Sequence, residues 1–325
     1  MGSETNNASS PSKLLLNMSN LTPDCAIGPP SLQRGLPEGY TTRVFSSIKH
    51  LQHEVAVILE MLQQNPNGNQ WLLVLGLSSE KLKCLCEDHN ILGANYRIMW
   101  EQSNALIKVI PSASHEQITT RVSKHMEGQM RAMGISEDDW DWAAASKYPP
   151  CPPNSTRTSI RGKEGDQGLI PQSRMFNQEE NYGWPTLVFE TGVSQSLGRL
   201  REDAEWWFAH SEGDVRFVLI IARKPTVIHF ELWQLAPTNS PRPLSRHCIR
   251  TLRSQTPSMP PLTRQPAQTQ QSYCSQEVTV TPHSVVGAPL VLPFEALFCR
   301  APVFPETDIS IPASRFEMFA TNIFH

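Results

Sequence analysis

The block from Trp184 to Leu235 constrains the fold most, because short apolar runs alternate there with a helical pattern. Residues 184–189 (WPTLVF) and 215–221 (VRFVLII) are rich in β-branched and aromatic residues, which is typical of buried strands. Residues 197–210 lie between them and carry apolar side chains at helical spacing, and residues 227–235 form a third apolar run after a turn. A strand, a helix and two more strands on a shared core predict an α/β unit, in which ligands tend to bind at the C-terminal strand ends.

A helix and a strand are predicted upstream of this block. Between Val44 and Leu62, apolar side chains recur at steps of three and four residues, which predicts an amphipathic helix. A turn sequence, NPNG, ends the helix, and residues 71–77 (WLLVLGL) then predict a buried strand. We interpret residues 41–95 as an N-terminal extension of the main domain.

A β-hairpin and a long helix are predicted next. Residues 96–100 and 105–110 are apolar runs joined by four polar residues, a pattern that indicates a hairpin. Ser114 and Gln117 have the spacing of a capping box, so a helix is predicted to begin at His115.

Other segments are less regular. Residues 1–40 are rich in Ser, Asn and Pro and show no sustained period, which predicts a disordered arm. Residues 146–183 predict loops around one short strand. Residues 239–275 contain five Arg, six Pro and no acidic residue, so we interpret residues 236–277 as a disordered basic insert. Residues 278–325 are predicted to pack back onto the core as a strand and a short helix.

Composition excludes several classes of protein. A net charge of -3 over 325 residues argues against a histone-like protein, and the longest apolar run is far shorter than the roughly 20 residues of a membrane-spanning helix. Seven cysteines without regular spacing favour reduced thiols over a disulfide scaffold or a closed zinc site. The N-terminus has no secretory pattern. We therefore expect a soluble intracellular protein, in the nucleus or the cytoplasm, without a membrane partner.

Two acidic residues are candidates for chemistry. Asp166 lies just before the apolar pair Leu169-Ile170, and Glu190 ends the predicted strand that begins at Trp184. Carboxylates at the ends of neighbouring strands can share a divalent cation, which polarises a phosphodiester and makes bound water nucleophilic. Alternatively, Asp166 is a loop residue and Glu190 an ordinary strand-end charge. The residues alone leave both interpretations open.

The same region resembles a known family. The segments Trp184–Ser196 and Leu200–Trp207 are similar to a large group of uncharacterised fungal proteins and, more distantly, to the bacterial putative restriction endonuclease family of the PD-(D/E)XK nuclease superfamily. The run ALIKVIP at residues 105–111, the tripeptide EGD at 164–166 and the segment 289–300 follow in the family's order. The resemblance implies a restriction-endonuclease-like core over residues 96–235, with a mixed sheet flanked by helices.

By this resemblance, Asp166 and Glu190 are the catalytic residues and the magnesium ligands. Gly165 replaces the family's Pro, and Gly192 stands where the superfamily places a lysine. On the following helix, where the bacterial family carries a lysine, this chain has Arg199. An arginine cannot lose its proton to act as a base, although it can stabilise phosphate charge.

Gln195 and His115 are candidates for supporting roles. Gln195 is able to orient a water at most. His115 is able to transfer protons, but a histidine in the first turn of a helix is more often a surface residue.

Two functions therefore compete. The first is a Mg²⁺-dependent nuclease that hydrolyses DNA or RNA, with an active site that lacks the usual lysine. The second is a catalytically inactive relative that acts as a nucleic-acid-binding or protein-interaction module. The first requires the carboxylates of Asp166 and Glu190 to converge within about 4–6 Å in an open cleft. The second expects a basic or aromatic surface patch instead.

Overall fold

The computed structural model describes residues 32–65, 68–110, 113–143, 146–148, 161–175, 183–193, 197–255, 257–321 and 324; for residues 113–116 and 193 it describes the backbone alone. Its mixed β-sheets are flanked by helices, which confirms the predicted α/β class. None of the described helices is long and apolar enough to span a bilayer.

The described strands are β1 (Thr41–Val44), β2 (Trp71–Leu75), β3 (Tyr96–Glu101), β4 (Asn104–Val109), β5 (Trp140–Trp142), β6 (Lys147–Tyr148), β7 (Arg161–Glu164), β8 (Gln167–Pro171), β9 (Leu187–Val193), β10 (Phe217–Arg223), β11 (Ile228–Leu235), β12 (Ser272–Thr281), β13 (Ser284–Val286), β14 (Leu290–Leu292) and β15 (Ile309–Ile311). The described α-helices are α1 (Ile48–Gln64), α2 (Ser79–Glu87), α3 (Ala113–Ala132), α4 (Gln172–Met175), α5 (Leu197–His210), α6 (Arg246–Arg253), α7 (Phe294–Phe298) and α8 (Ala313–Ala320).

The first sheet has the strand order β1-β2-β4-β3-β7-β6. Strand β1 is parallel to β2, and the other pairs are antiparallel. Strand β2 is buried on both faces: Leu72 and Val74 pack with α1, while Trp71 and Leu73 face α5. This double burial explains why residues 71–77 form a continuous apolar run instead of an alternating one.

The second sheet has the order β13-β12-β11-β10-β9-β8-β5, and only its β9–β10 pair is parallel among these strands. Strand β9 leads into α5, which covers one face of this sheet together with the first sheet. Helices α3, α7 and α8 cover the opposite face. The chain passes from the first sheet to the second in the turn between β7 and β8, so this turn lies where the two sheets meet.

Most of the predicted elements are confirmed, with one shift that matters for the site. Helix α5 has the predicted bounds, and β3 and β4 form the predicted hairpin. Strand β9, however, begins three residues after Trp184 and continues to Val193. Glu190 therefore lies in the middle of a strand and not at its end. Residues 146–175 also contain β6, β7, β8 and α4, where the sequence predicted one short strand.

The prediction of a disordered insert over residues 236–277 differs from the structure, which places α6 and the first part of β12 there. Ser245 caps α6 by accepting from the amide of Cys248. Leu252 on this helix is buried with Ala236 and Tyr273. The Arg216 guanidinium anchors the following loop by donating to two of its backbone carbonyls. The residues that make these contacts lie far apart in sequence, so the composition of the segment alone does not predict them.

The predicted arm over residues 1–40 falls mostly outside the described residues, but its last part is packed against the core. Leu32 is buried. Gly35 approaches the backbone of α5 so closely that a Cβ there would lie 2.7 Å from the carbonyl oxygen of Gly198. At the other end of the chain, the predicted strand and short helix are confirmed as β14 and α7.

Candidate functional site

The candidate site lies where the two sheets meet. Asp166 occupies the turn between β7 and β8, and its amide donates to the carbonyl of Phe189 on β9. Its carboxylate oxygen Oδ2 accepts from the amide of Thr191 at 2.7 Å. These backbone bonds fix Asp166 beside the middle of β9, which carries Glu190. The structure thus brings the two predicted acids together.

A lysine joins these two acids. The ammonium of Lys108, on β4, donates to Asp166 Oδ2 at 2.6 Å and lies 3.9 Å from Glu190 Oε2. It also donates to the carbonyl of Thr191 at 2.9 Å. Both carboxylates therefore contact one nitrogen, at a position between them that a shared cation would otherwise take.

A second lysine extends the cluster toward α5. The ammonium of Lys163, on β7, lies 3.2 Å from Glu190 Oε1 and 2.7 Å from Asp203 Oδ1. The indole Nε1 of Trp207 donates to Glu190 Oε1 at 2.6 Å. The neighbouring Gly162 packs directly against the ring of buried Trp100, because a Cβ at this position would overlap the ring.

Arg199 completes the cluster from α5, but it is not placed to stabilise the charge of a phosphate. Its guanidinium pairs with Asp203 and donates to the carbonyls of Leu32 and Arg34. The side chain is 1% exposed. Because it is buried and bonded to these partners, Arg199 cannot reach a phosphate; it ties the N-terminal segment to the core.

The ionisation of the inner acids follows from burial and from these cations. Burial raises the pKa of Glu190, and Lys163 and Lys108 oppose that shift only in part. For Asp203, burial also acts to raise the pKa, but Arg199 and Lys163 outweigh it and hold the pKa below its usual value. We name the six residues Lys108, Lys163, Asp166, Glu190, Arg199 and Asp203 the ion cluster; its three acids and three cations balance in formal charge. Arg97 adds a fourth cation beside the cluster, because its Nε lies 3.6 Å from Asp166 Oδ1.

A further acid, Glu164, lies beside the ion cluster at the end of β7. Its Oε2 accepts from the amide of Ile98 at 3.3 Å, and its Oε1 is 3.8 Å from Nε2 of His89. Burial raises the pKa of Glu164 to about 8. Burial also lowers the pKa of His89. At neutral pH both groups are therefore largely uncharged, and they do not form an ion pair.

The arrangement does not fit a hydrated Mg²⁺ ion. Such an ion needs six oxygen ligands in a near-octahedral shell and keeps several of its waters, whereas the cavity at the ion cluster has a volume of about 10 Å³. That is room for about one water. A divalent cation would also add uncompensated charge to a buried cluster that is already balanced. Within the described residues, no group of three or more His, Cys, Asp or Glu is placed to hold a metal.

Comparison with known proteins assigns neither a family nor a function to the chain. No protein-family model and no curated protein matches the chain. Among solved structures, it is similar to one described as a "putative nuclease belonging to DUF820 from Anabaena variabilis ATCC 29413". The alignment covers 50% of this chain and 88% of that one, with 11% identity and a TM-score of 0.34. A likeness at this TM-score does not assign a fold or an activity.

The two remaining predicted site residues lie outside what the structure describes, and two lysines of the site were not predicted. His115 belongs to α3, but its side chain lies outside what the structure describes, and Gln195 lies outside the described residues. The two lysines were missed, since a lysine was expected only near Gly192 or on α5. The signal for Lys108 was its position in the apolar run ALIKVI, where a charged side chain faces the protein interior and needs an acidic partner.

Proposed function

We propose that this protein is a nucleic-acid-binding module without hydrolytic activity. The observation that carries the proposal is the position of the Lys108 ammonium between Asp166 and Glu190. In this arrangement the two acids are neutralised by the chain's own cations, Lys108 and Lys163. All three carboxylates of the ion cluster are at most 3% exposed, so a phosphodiester cannot reach them. The acids then stabilise the junction of the two sheets instead of catalysing a reaction.

The binding role is supported by a cationic surface on α6. Arg246, His247 and Arg250 are exposed on this helix, while Leu252 holds its opposite face against the body of the protein. Neither arginine pairs with a carboxylate within the described part of the chain. Arg246 and Arg250 are one helical turn apart, about 6 Å along the axis at 1.5 Å per residue, which is close to the spacing of successive phosphates on a strand. Like charges at this spacing repel each other, and phosphate would relieve that repulsion.

Replacing Arg246 and Arg250 by Gln is expected to weaken binding of a fluorescein-labelled oligonucleotide at least tenfold. Each phosphate contact releases a counterion, so the slope of log affinity against log salt should become shallower by about 2 for a duplex. Fluorescence anisotropy between 50 and 200 mM salt, roughly the range over which such contacts matter, measures both quantities.

The matched control replaces Lys49 and Lys83 by Gln, which removes the same charge from exposed positions on α1 and α2. This variant should keep the affinity within about twofold, a change well under 1.4 kcal/mol. Equal losses in both double variants would show that only net charge matters, and would contradict a site on α6. No binding by the wild type would remove the nucleic-acid assignment.

A metal-dependent nuclease is the second candidate, favoured by the presence of two lysines beside the acid pair. It predicts that Mg²⁺ or Mn²⁺ binds the wild type in calorimetry, that binding is lost in Asp166→Asn, and that labelled DNA or RNA is cut. Our proposal predicts neither metal binding nor cleavage in the wild type. Cleavage that depends on Asp166 would replace the proposal by the nuclease assignment.

A further inference from the structure

A run of five consecutive apolar residues between α7 and β15 is exposed along its whole length. These residues, 301–305 (APVFP), include Val303, which is 68% exposed, and Phe304, which is 96% exposed. We name residues 301–305 the apolar loop. An uninterrupted apolar run on a protein surface is unfavourable unless another molecule covers it. The apolar loop therefore indicates a surface for association.

Contacts at its base hold the apolar loop in one shape. The guanidinium of Arg300 donates two hydrogen bonds to the carboxylate of Glu306, which also accepts from the amide of Val303 at 2.7 Å. Arg300 lies over the ring of buried Phe294, 4.9 Å from its centroid. A loop that is already ordered loses little conformational entropy when it binds, so Phe304 is presented as a rigid anchor.

A groove between α3 and α8 offers an apolar floor to such an anchor. Its volume is about 720 Å³, within the range of about 300–1,000 Å³ that is usual for small-molecule sites. Met318 on this floor is 56% exposed. No atom lies within 4 Å of the position that a Gly128 Cβ would take. The described part of the chain thus leaves the floor uncovered, with room for an aromatic side chain.

The apolar loop stands at one end of this groove. Because α8 runs antiparallel to α3, three contacts follow one another along α3: Arg121 with Phe319, Gln129 with Ser310, and Met133 with Thr307. Thr307 comes two residues after the apolar loop, and Ala132 is the last α3 residue that lines the groove. Phe304 does not fold back into the groove, since it is almost fully exposed. One chain therefore carries an apolar anchor and an apolar groove side by side, and neither fills the other.

The rim of the groove is cationic. Arg121, Lys124 and Arg315 line it, and no acidic residue is among the described residues that do. None of these three side chains pairs with a carboxylate within the described ranges. Arg315 lies close enough to His125 to help burial lower the pKa of that histidine. The cations thus flank the floor along its length, and the groove suits an apolar group with carboxylates at its edges.

The apolar loop has edges of this kind. Glu306 follows it directly, and Asp308 lies two residues further on. The acidic turn at residues 137–139 (EDD) is also near, because Asp139 acts electrostatically on Arg300 at the base of the loop. Ion pairs with arginine offset only two of these five negative charges. An anionic lipid surface would be repelled by this edge, whereas the rim of the groove complements it.

We propose that the groove binds the apolar loop of a second copy of this chain, with Phe304 on the floor beside Met318 and Gly128. Because loop and groove are neighbours, a twofold axis between them places each loop in the groove of the other copy. One aromatic side chain buries only about 150–250 Å², against about 800 Å² per partner in a standard interface. Two reciprocal contacts therefore give a weak, reversible dimer. The proposal does not depend on the function proposed above.

The test measures self-association of the full-length protein by sedimentation velocity over a range of micromolar concentrations. The wild type should show a reversible equilibrium between monomer and dimer. Phe304→Ser removes the anchor at an exposed position and should weaken association at least tenfold, roughly the effect of losing a central interface residue. Val44→Ser is the matched control, since Val44 is a 72% exposed apolar residue on β1. It should keep the dissociation constant within about twofold.

The groove is tested from its own side. Gly128→Leu fills the floor and should also weaken association at least tenfold, an effect of about 1.4 kcal/mol or more. Circular dichroism checks its helix content. Should it fail to fold, Lys124→Glu with Arg315→Glu reverses two exposed charges of the rim and replaces it. A mixture of Phe304→Ser with either groove variant restores one of the two contacts. It should associate more tightly than each variant alone and more weakly than the wild type.

Several outcomes would overturn the proposal. A wild type that stays monomeric, or a Phe304→Ser variant that associates like the wild type, would remove the role of the apolar loop. Loss of association in Phe304→Ser, with both groove variants unaffected, would show that the loops of two copies pack on each other and not in the grooves. A mixture that associates no more tightly than its components would contradict the pairing of loop with groove.

Discussion

Replacing Lys108 by Met is expected to lower the free energy of unfolding by about 3–5 kcal/mol, because it leaves the buried carboxylates of Asp166 and Glu190 without their shared cation. Met has a similar length, so little packing is lost. Urea denaturation at pH 7 measures the change as a lower midpoint with an unchanged slope. The loss would be a large fraction of the total stability of an ordinary domain.

Two further variants separate charge from packing. Lys49→Met changes an exposed lysine on α1 in the same way and should alter stability by no more than about 0.5 kcal/mol. Lys108→Met combined with Asp166→Asn removes both members of the closest ion pair, so it should destabilise by less than the sum of the two single changes. A loss below about 1 kcal/mol in Lys108→Met would contradict the structural role of the ion cluster.

Local patterns in the sequence predict the helices and strands. They do not predict which charged side chains from different helices and strands pair with each other. Helix α5 and the β3–β4 hairpin were predictable because their apolar spacing is a property of neighbouring residues. Asp166 and Glu190 were singled out together from the sequence, and in the structure their carboxylates lie 2.6 and 3.9 Å from the Lys108 ammonium. Lys108 lies 58 residues from Asp166 along the chain, so their contact depends on how the first sheet packs against the second. No local spacing carries that information.

The same reason explains the errors in the irregular segments. A stretch rich in Arg and Pro was expected to be disordered because it cannot bury enough surface by itself. In the structure, Leu252 on α6 is buried against Tyr273 and Ala236, and Arg216 holds the adjoining loop. The core that orders this segment is thus supplied by the rest of the chain. Similarly, Leu32 is ordered through Arg199, 167 residues away.

The contribution of Glu164 to the stability of the wild type is expected to fall as the pH rises from about 4.5 to about 8. Its pKa is about 8 in the folded protein, against 4.5 for an unperturbed glutamate. Between these values the folded state binds one more proton than the unfolded state, so each pH unit lowers the free energy of unfolding by up to about 1.4 kcal/mol. The contribution is fully present below pH 4.5 and is lost by about pH 8.

Glu164→Gln isolates this effect, because glutamine keeps an acceptor for the amide of Ile98 but cannot ionise. The variant should be about as stable as the wild type at pH 4.5 and roughly 3–5 kcal/mol more stable at pH 8.5. Glu60→Gln, at an exposed position on α1, should show no such divergence. Urea denaturation at several pH values gives both curves. Parallel curves for Glu164→Gln and the wild type would contradict the prediction, because they would mean that Glu164 has the same pKa in the folded and unfolded states. The interior beside the ion cluster would then have to be hydrated enough to hold the charge of Glu164.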